Sequence, residues 1–274
     1  MPDLMTFLPM LLLLLAIGAF AGVVAGLLGV GGGIILVPAF YFTFSSLGYH
    51  SPQLMQISLA TSLATIIFTS VRSVLSHNRK SAVDWGILKS WGLGIALGAV
   101  AGMLATKGLR SNFLMGVFGF LGLAIGLYLA FGRGHWRLGT QMPRGVARAL
   151  VSPLVGFLSV LMGIGGGSFG VPLMSLYSVP IHRAVATAAG FGVIIALPAV
   201  IGFLLTGTPL EGRPPFMLGQ VNVAAFLVVI SMTLLTAPLG VRLAHAMDPK
   251  PLKRLFAVFI MVMALNMLRK AFGG

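Results

Sequence analysis

"LLGVGGGIILVP", residues 27–38, lies inside an apolar run that begins near Leu4. Its three consecutive glycines, Gly31, Gly32 and Gly33, weaken any helix that holds them, and Pro38 follows within two turns. The pattern returns as "LMGIGGGSFGVP", residues 161–172. When Phe20–Phe40 is laid on Leu154–Met174 without a gap, Gly22, Leu27, Gly29, Gly31, Gly32, Gly33, Val37 and Pro38 meet Gly156, Leu161, Gly163, Gly165, Gly166, Gly167, Val171 and Pro172. Further on, Ala60-Thr61 meets Ala186-Thr187 after an adjustment in the loop. Single glycines are common in membrane helices, but this ordered spacing marks an internal duplication.

The surrounding composition says where the glycines sit. Of 274 residues, 58% are hydrophobic and 8% charged, with a mean hydropathy of +1.03. A soluble domain carries about 25% charged residues, so this chain cannot cover a water-facing surface. Stretches long enough to span a bilayer recur along its length, and the short alternating segments of a β-barrel are missing. The fold class is all-α, a polytopic transmembrane helical protein. Apolar segments are expected at 4–28, 33–47, 54–76, 86–106, 112–132, 146–164, 167–179, 184–206, 219–243 and 252–271. They divide into a first transmembrane repeat (1–132), a basic cytoplasmic linker (133–148) and a second repeat (149–274). The N-terminus lacks the positive flank of a secretory signal and reads as a retained first segment.

Residues 4 to 47 are nearly uncharged. As one helix they would be about 66 Å long, more than twice the hydrocarbon core of about 30 Å. The run must break, and the triple glycine is the place. Backbone broken inside a membrane is tolerated only where protein or a watery cavity receives its free N–H and C=O groups. Close helix packing by glycine is the competing reading. Two copies, each opening an undersized segment, favour the broken-helix arrangement of transporters.

The net charge of +14 resides in the short gaps between apolar runs. It reflects the positive-inside rule and anionic headgroups rather than nucleic acid. If each glycine-broken pair enters and returns on one side, the halves are inverted. The loops near 77–89, 133–148, 180–183 and 242–254 are then cytoplasmic, and both chain ends lie outside. If each pair is one continuous span, the halves are parallel, and Arg183 moves to the far side together with the 242–254 cluster. The inverted arrangement gathers more of the 18 Lys and Arg on one side. It places the chain in the inner (plasma) membrane as a multi-pass protein.

The start of a helix presents free N–H groups and the positive end of its dipole. Two half-helices starting near Gly32 and Gly166 in an inverted repeat would aim those ends at a common point near the midplane. The acidic residues Asp3, Asp84, Glu211 and Asp248 all lie in loops or at segment ends. The carboxylates of a cation or metal site are therefore lacking, and the chemistry left is that of an anion site. Candidate solute contacts are Gly31, Gly32, Gly33, Gly165, Gly166, Gly167 and Ser168 at the breaks, Thr61, Ser62 and Thr65 in "QISLATSLAT", and Thr187 in "AVATAAG". The competing reading of these hydroxyls is a bond to their own helix. Arg72, His50, His182 and Asn222 are candidates for gating or coupling. Snorkelling, interfacial placement and interhelical bonding compete with that role. His77, His135 and His245 read as loop or interface residues. No cofactor is implied, and with no cysteine thiol chemistry is excluded. A homodimer is among the assemblies the sequence allows.

These motifs resemble the sulfite exporter TauE/SafE family, also called the toluene sulfonate uptake permease family. The resemblance rests on "GLLGVGGGIILVPAF", its repeat "MGIGGGSFGVPLM", "ATSLAT", "AVATAAG" and the closing "LGQVN…TAPLGVRLAHAMDPKPLKRLFAVFIMVMALNML". It implies export or uptake of small sulfur-containing or organic anions. One departure is Ala188-Ala189 in the second half where the first has Ser62-Leu63, so a hydroxyl pair is not expected there. The leading expectation is a secondary transporter of small anions working by alternating access. An anion channel and an integral membrane enzyme are the alternatives. The enzyme would need clustered carboxylates, histidines or a nucleophile with its base. No Walker motif is present, so ATP is not the direct energy source.

Overall fold

The computed structural model describes residues 4–28, 32–132, 137–246 and 250–273, with no side-chain description at 4–10, 28, 244–245, 250–253 and 255–256. Gly31, His135, Asp3 and Asp248, and the side chain of His245, lie outside the described residues. In chain order the helices are α1 (Leu4–Leu28), α2 (Gly33–Ser46), α3 (Leu54–Asn78), α4 (Trp85–Thr106), α5 (Ser111–Phe131), α6 (Gly145–Leu161), α7 (Gly167–Leu176), α8 (Ile181–Leu204), α9 (Val223–Ala246) and α10 (Lys250–Gly273). The helices follow the apolar segments closely, because runs of Leu, Ala, Ile, Met and Phe both favour helix and require lipid or core around them. The fold is all-α and polytopic. Among the described residues, five helical stretches are long and apolar enough to cross a bilayer: α3, α4, α5, α8 and Val223–Leu243 within α9.

One apolar segment opens on a turn. The segment at 219–243 does not begin as helix: Met217–Leu218 (β1) pairs antiparallel with Val221–Asn222 (β2), and α9 starts only at Val223. Gly219 at the tip has φ +56. A Cβ there would collide with the carbonyls of Phe203 and Leu204, so only glycine fits.

α3 and α8 form the centre, their most apolar stretches 83% and 72% buried against 33% for α9. They run antiparallel. Asp84, beyond the end of α3, meets Thr187 near the start of α8. Thr61, near the start of α3, meets Asn222 beyond the end of α8. Around this pair, α9 packs on α1, α4 on α6, and α10 on α5. Exchanging the two halves maps these neighbours onto one another, and the equivalence reaches single residues. Gly22 of α1 lies against Thr233 of α9, as Gly156 of α6 lies against Ile95 of α4. Gly240 of α9 meets the Val23 carbonyl, as Gly102 of α4 meets that of Phe157. At these contacts the missing side chain lets backbone meet backbone, the packing that substitutes for hydrophobic force inside lipid. The outer faces carry Leu93, Leu97, Phe120, Leu197, Leu235, Val258 and Leu265, all exposed, as a lipid-facing belt requires.

Candidate functional site

Both glycine stretches break the helix. α1 stops at Leu28 and α2 begins at Gly33, with Gly32 at φ +76 as its N-cap. α6 stops at Leu161 and α7 begins at Gly167, with Gly163 at φ +61. Left-handed backbone is open to glycine at little cost. The helices that follow have 14 and 10 residues, or about 21 and 15 Å of rise, and neither spans a core of about 30 Å.

The two breaks touch. A Cβ on Gly33 would lie 2.5 Å from the Gly163 carbonyl oxygen, 2.8 Å from Ile164 Cα and 2.7 Å from Ile66 Cδ1. A Cβ on Gly166 would run into Phe191 and lie 2.9 Å from the Ala188 carbonyl. Ile66 is at the middle of α3, and Phe191 is near the middle of α8. The start of α2 and the loop leading into α7 therefore meet at mid-depth between the central helices. N–H groups at the start of a half-helix have no partner within it, the feature that lets a helix start receive an anion.

Around the junction, α3 presents a buried polar face: Ser62, Thr65, Thr69, Ser70, Ser73 and His77. Ser62 Oγ donates to the Gly163 carbonyl at 2.8 Å and ties α3 to the second break. Thr65 Oγ1 donates to Thr61 O and Thr69 Oγ1 to Thr65 O, the local bonding that lets a hydroxyl sit in a membrane helix. Among the described residues, Ser168 in the first turn of α7, Ser70 and Ser73 of α3 and Ser159 of α6 have buried hydroxyls with no hydrogen-bond partner. Such groups cost about 1–3 kcal/mol each when left unmade and are rare in native structures.

A family model described as sulfite exporter TauE/SafE matches residues 14–267. The chain belongs to the TauE/SafE family. Two relatives, each named "Probable membrane transporter protein", share 27% identity with it. One, from Haemophilus influenzae, covers 95% of this chain and 98% of its own length; the other, from Methanocaldococcus jannaschii, covers 96% and 97%. A Bacillus subtilis relative, also named a probable membrane transporter protein, is 30% identical over 71% of this chain and 78% of its own. No solved structure matches. The activity shared with these relatives is membrane transport.

In this TauE/SafE chain the predicted residues divide by location. Gly32, Gly33, Gly165, Gly166, Gly167 and Ser168 gather at the breaks, and all are buried. Thr61 and Thr187 have another occupation. Thr61 Oγ1 donates to Ile57 O at 2.8 Å and accepts from the Asn222 N–H at 3.0 Å. Thr187 Oγ1 accepts from the Asp84 N–H at 2.9 Å. Asn222 and Asp84 in turn cap α9 and α4 through Ala225 N (2.8 Å) and Ile87 N (3.1 Å). Each half thus uses its Ala-Thr hydroxyl to hold the cap of a helix in the other half. Arg72, His50 and His182 are exposed, away from the junction. Asn222 is buried, and its side-chain amide donates to Pro215 O.

Two features were missed. His77, read as a loop or interface residue, stands in the last turn of α3 and is buried. It is 1% exposed on α3, with Nε2 3.2 Å from the Gly26 carbonyl of α1. Its place one residue before the end of α3 is the sole clue in sequence, and a segment boundary uncertain by a turn hides it. The Thr–cap pairs were legible as matching threonines but not as contacts. For Ser62→Ala, which leaves the Gly163 carbonyl without its hydroxyl donor, we expect a loss of about 1 kcal/mol in stability and slower solute flux, read by thermal unfolding and proteoliposome transport.

Proposed function

We propose that this chain is a secondary transporter of small anions, with sulfite, sulfonates and related organosulfur or organic anions as the solute class. It works by alternating access of two inverted halves. The observation that carries the reading is the meeting of Gly33 with Gly163 and Ile164 beside Ile66. That contact puts the start of α2 against the second break, with unpartnered hydroxyls near by on α3 and α7. The family's description supports the solute class. The antiparallel α3 and α8 support the inversion, as does the Arg183–Asp84 ion pair of 3.3 Å, which joins the 180–183 and 77–89 loops on one side. The site residues are Gly31, Gly32, Gly33, Gly165, Gly166, Gly167 and Ser168 with Ser62 and Thr65, while Thr61 and Thr187 hold the frame. The protein sits in the inner (plasma) membrane with both ends outside, as a single chain or a homodimer.

The test is flux in proteoliposomes holding only this chain, with sulfite, sulfoacetate and taurine as solutes. Saturable uptake of an anion that a second internal anion accelerates supports an alternating carrier. Unitary currents would replace it with a channel, and absence of any flux would remove the reading. Orientation is tested separately, since the chain has no cysteine. Glu211→Cys should react with an impermeant maleimide added outside whole cells, and Lys80→Cys only after lysis. Both positions are exposed, and the reverse labelling would overturn the assignment.

A further inference from the structure

A cleft of about 670 Å³ opens at one end of the molecule, lined by none of the residues of the glycine breaks. Three segments build it: Asp84–Trp91 leading into α4, 140–148 leading into α6, and 177–183 leading into α8. Arg144, Arg148 and Arg183 line it against the single carboxylate of Asp84. Arg144 is the extended N-cap of α6 and Arg148 lies in its first turn, so both stand at the start of that helix. The starts of α4, α6 and α8 all border the same space, adding the positive ends of three helix dipoles. Trp91, 1% exposed, is part of the wall. Positive-inside bias accounts for arginines at this end of the chain, but not for three of them around one concavity.

The cleft is also held in shape. Leu138 N donates to Leu176 O at 2.7 Å and Ser178 Oγ to Gly139 O at 2.9 Å. The linker ahead of α6 is thereby fastened to the end of the half-helix α7. Asp84 Oδ2 lies 3.3 Å from Arg183 Nη2, while the Arg183 side chain is 52% exposed. Arg183 can therefore leave Asp84 for another partner. Arginine suits planar or tetrahedral oxygen anions because its guanidinium donates in a fixed fork.

We propose that this cleft is a binding site for a tetrahedral oxyanion, seized by Arg144 and Arg148 and completed when Arg183 turns to it from Asp84. The ligand chemistry is a sulfur or phosphorus oxyanion, either the free solute or the phosphodiester of an anionic lipid headgroup. The inference takes its probe from the anion reading of the transporter, but its geometry is independent of the mid-depth junction.

The test is calorimetric titration of sulfate into the protein in phosphatidylcholine nanodiscs, with a parallel arm measuring retention of phosphatidylglycerol by native mass spectrometry. Asp84→Asn keeps the helix cap, since Asn caps as well as Asp, and removes the competing charge, so affinity should rise roughly 3- to 10-fold. Arg144→Gln with Arg148→Gln should weaken binding by about 10-fold or more. Sulfate binding that follows this order identifies the free solute as the source. Arginine-dependent retention of phosphatidylglycerol with no sulfate heat identifies the headgroup. Binding indifferent to all three substitutions, or none in either arm, overturns the proposal. A misfolded variant cannot imitate the tightening by Asp84→Asn. The titration needs no flux, so failure of transport leaves it readable, and intact transport with arginine-independent binding would sink the cleft alone.

Discussion

Replacing Gly33 by valine is expected to abolish transport. The first added carbon would fall 2.5 Å from the Gly163 oxygen and 2.8 Å from Ile164 Cα. Both are backbone atoms of the second break and cannot swing aside as a side-chain tip can. Either α2 backs away from the junction or the loop before α7 does. Overpacking of this kind costs about 1–3 kcal/mol or more, so the thermal midpoint should fall as well. Flux should drop on the order of 100-fold, the scale on which a displacement of about 1 Å disables a binding geometry. Gly33→Ala should be intermediate. Gly207→Ala is the control: nothing lies within 4 Å of a Cβ there, and stability should stay within about 0.5 kcal/mol. The measurements are uptake in proteoliposomes and unfolding in detergent for all three variants. Undiminished flux through Gly33→Val would mean that the junction is only a packing contact.

The second large effect is expected from Thr61→Val combined with Thr187→Val. Valine matches threonine in shape but leaves the Asn222 and Asp84 N–H groups, bonded now at 3.0 and 2.9 Å, without an acceptor. An unmade buried hydrogen bond costs about 1–3 kcal/mol. The two sites share no partner, so the losses should add to within about 0.5 kcal/mol, and the double variant should be the least stable of the set. Thr→Ser at both positions keeps each hydroxyl and should restore most of the stability. If valine and serine variants unfold alike, the hydroxyls do not hold the frame. Should Thr→Ser restore stability but not flux, the threonine methyls would be placed at the solute.

How much of this was legible in the chain follows from which interactions are local. Helix positions were legible because apolar runs and triple glycines are local signals, and each break fell at its glycines. The β1–β2 turn was not. "GQVN" reads as the start of a segment, and Gly219, at positive φ, lies against the Phe203 and Leu204 carbonyls at the end of α8. The matched Ala-Thr pairs announced a duplication, yet threonine in a membrane helix has its own backbone as a ready acceptor. Only the fold reveals a second bond reaching the opposite half. Arg183 is far in the chain from Arg144 and Arg148, and their meeting depends on α6 and α8 starting at one end of the molecule. Ser62 was picked out among its neighbours, but its partner, the Gly163 carbonyl, is a contact between repeats that no local pattern encodes.

The two cap ties have one more consequence. Asn222 and Asp84 occupy equivalent places, but one is neutral and the other is ionised and faces an arginine. A perfectly duplicated machine would respond alike to the medium at either end. Screening over about 8 Å at physiological ionic strength weakens the Asp84–Arg183 pair, and the Asn222 tie has no such pair to lose. The two caps thus match in geometry and differ in charge.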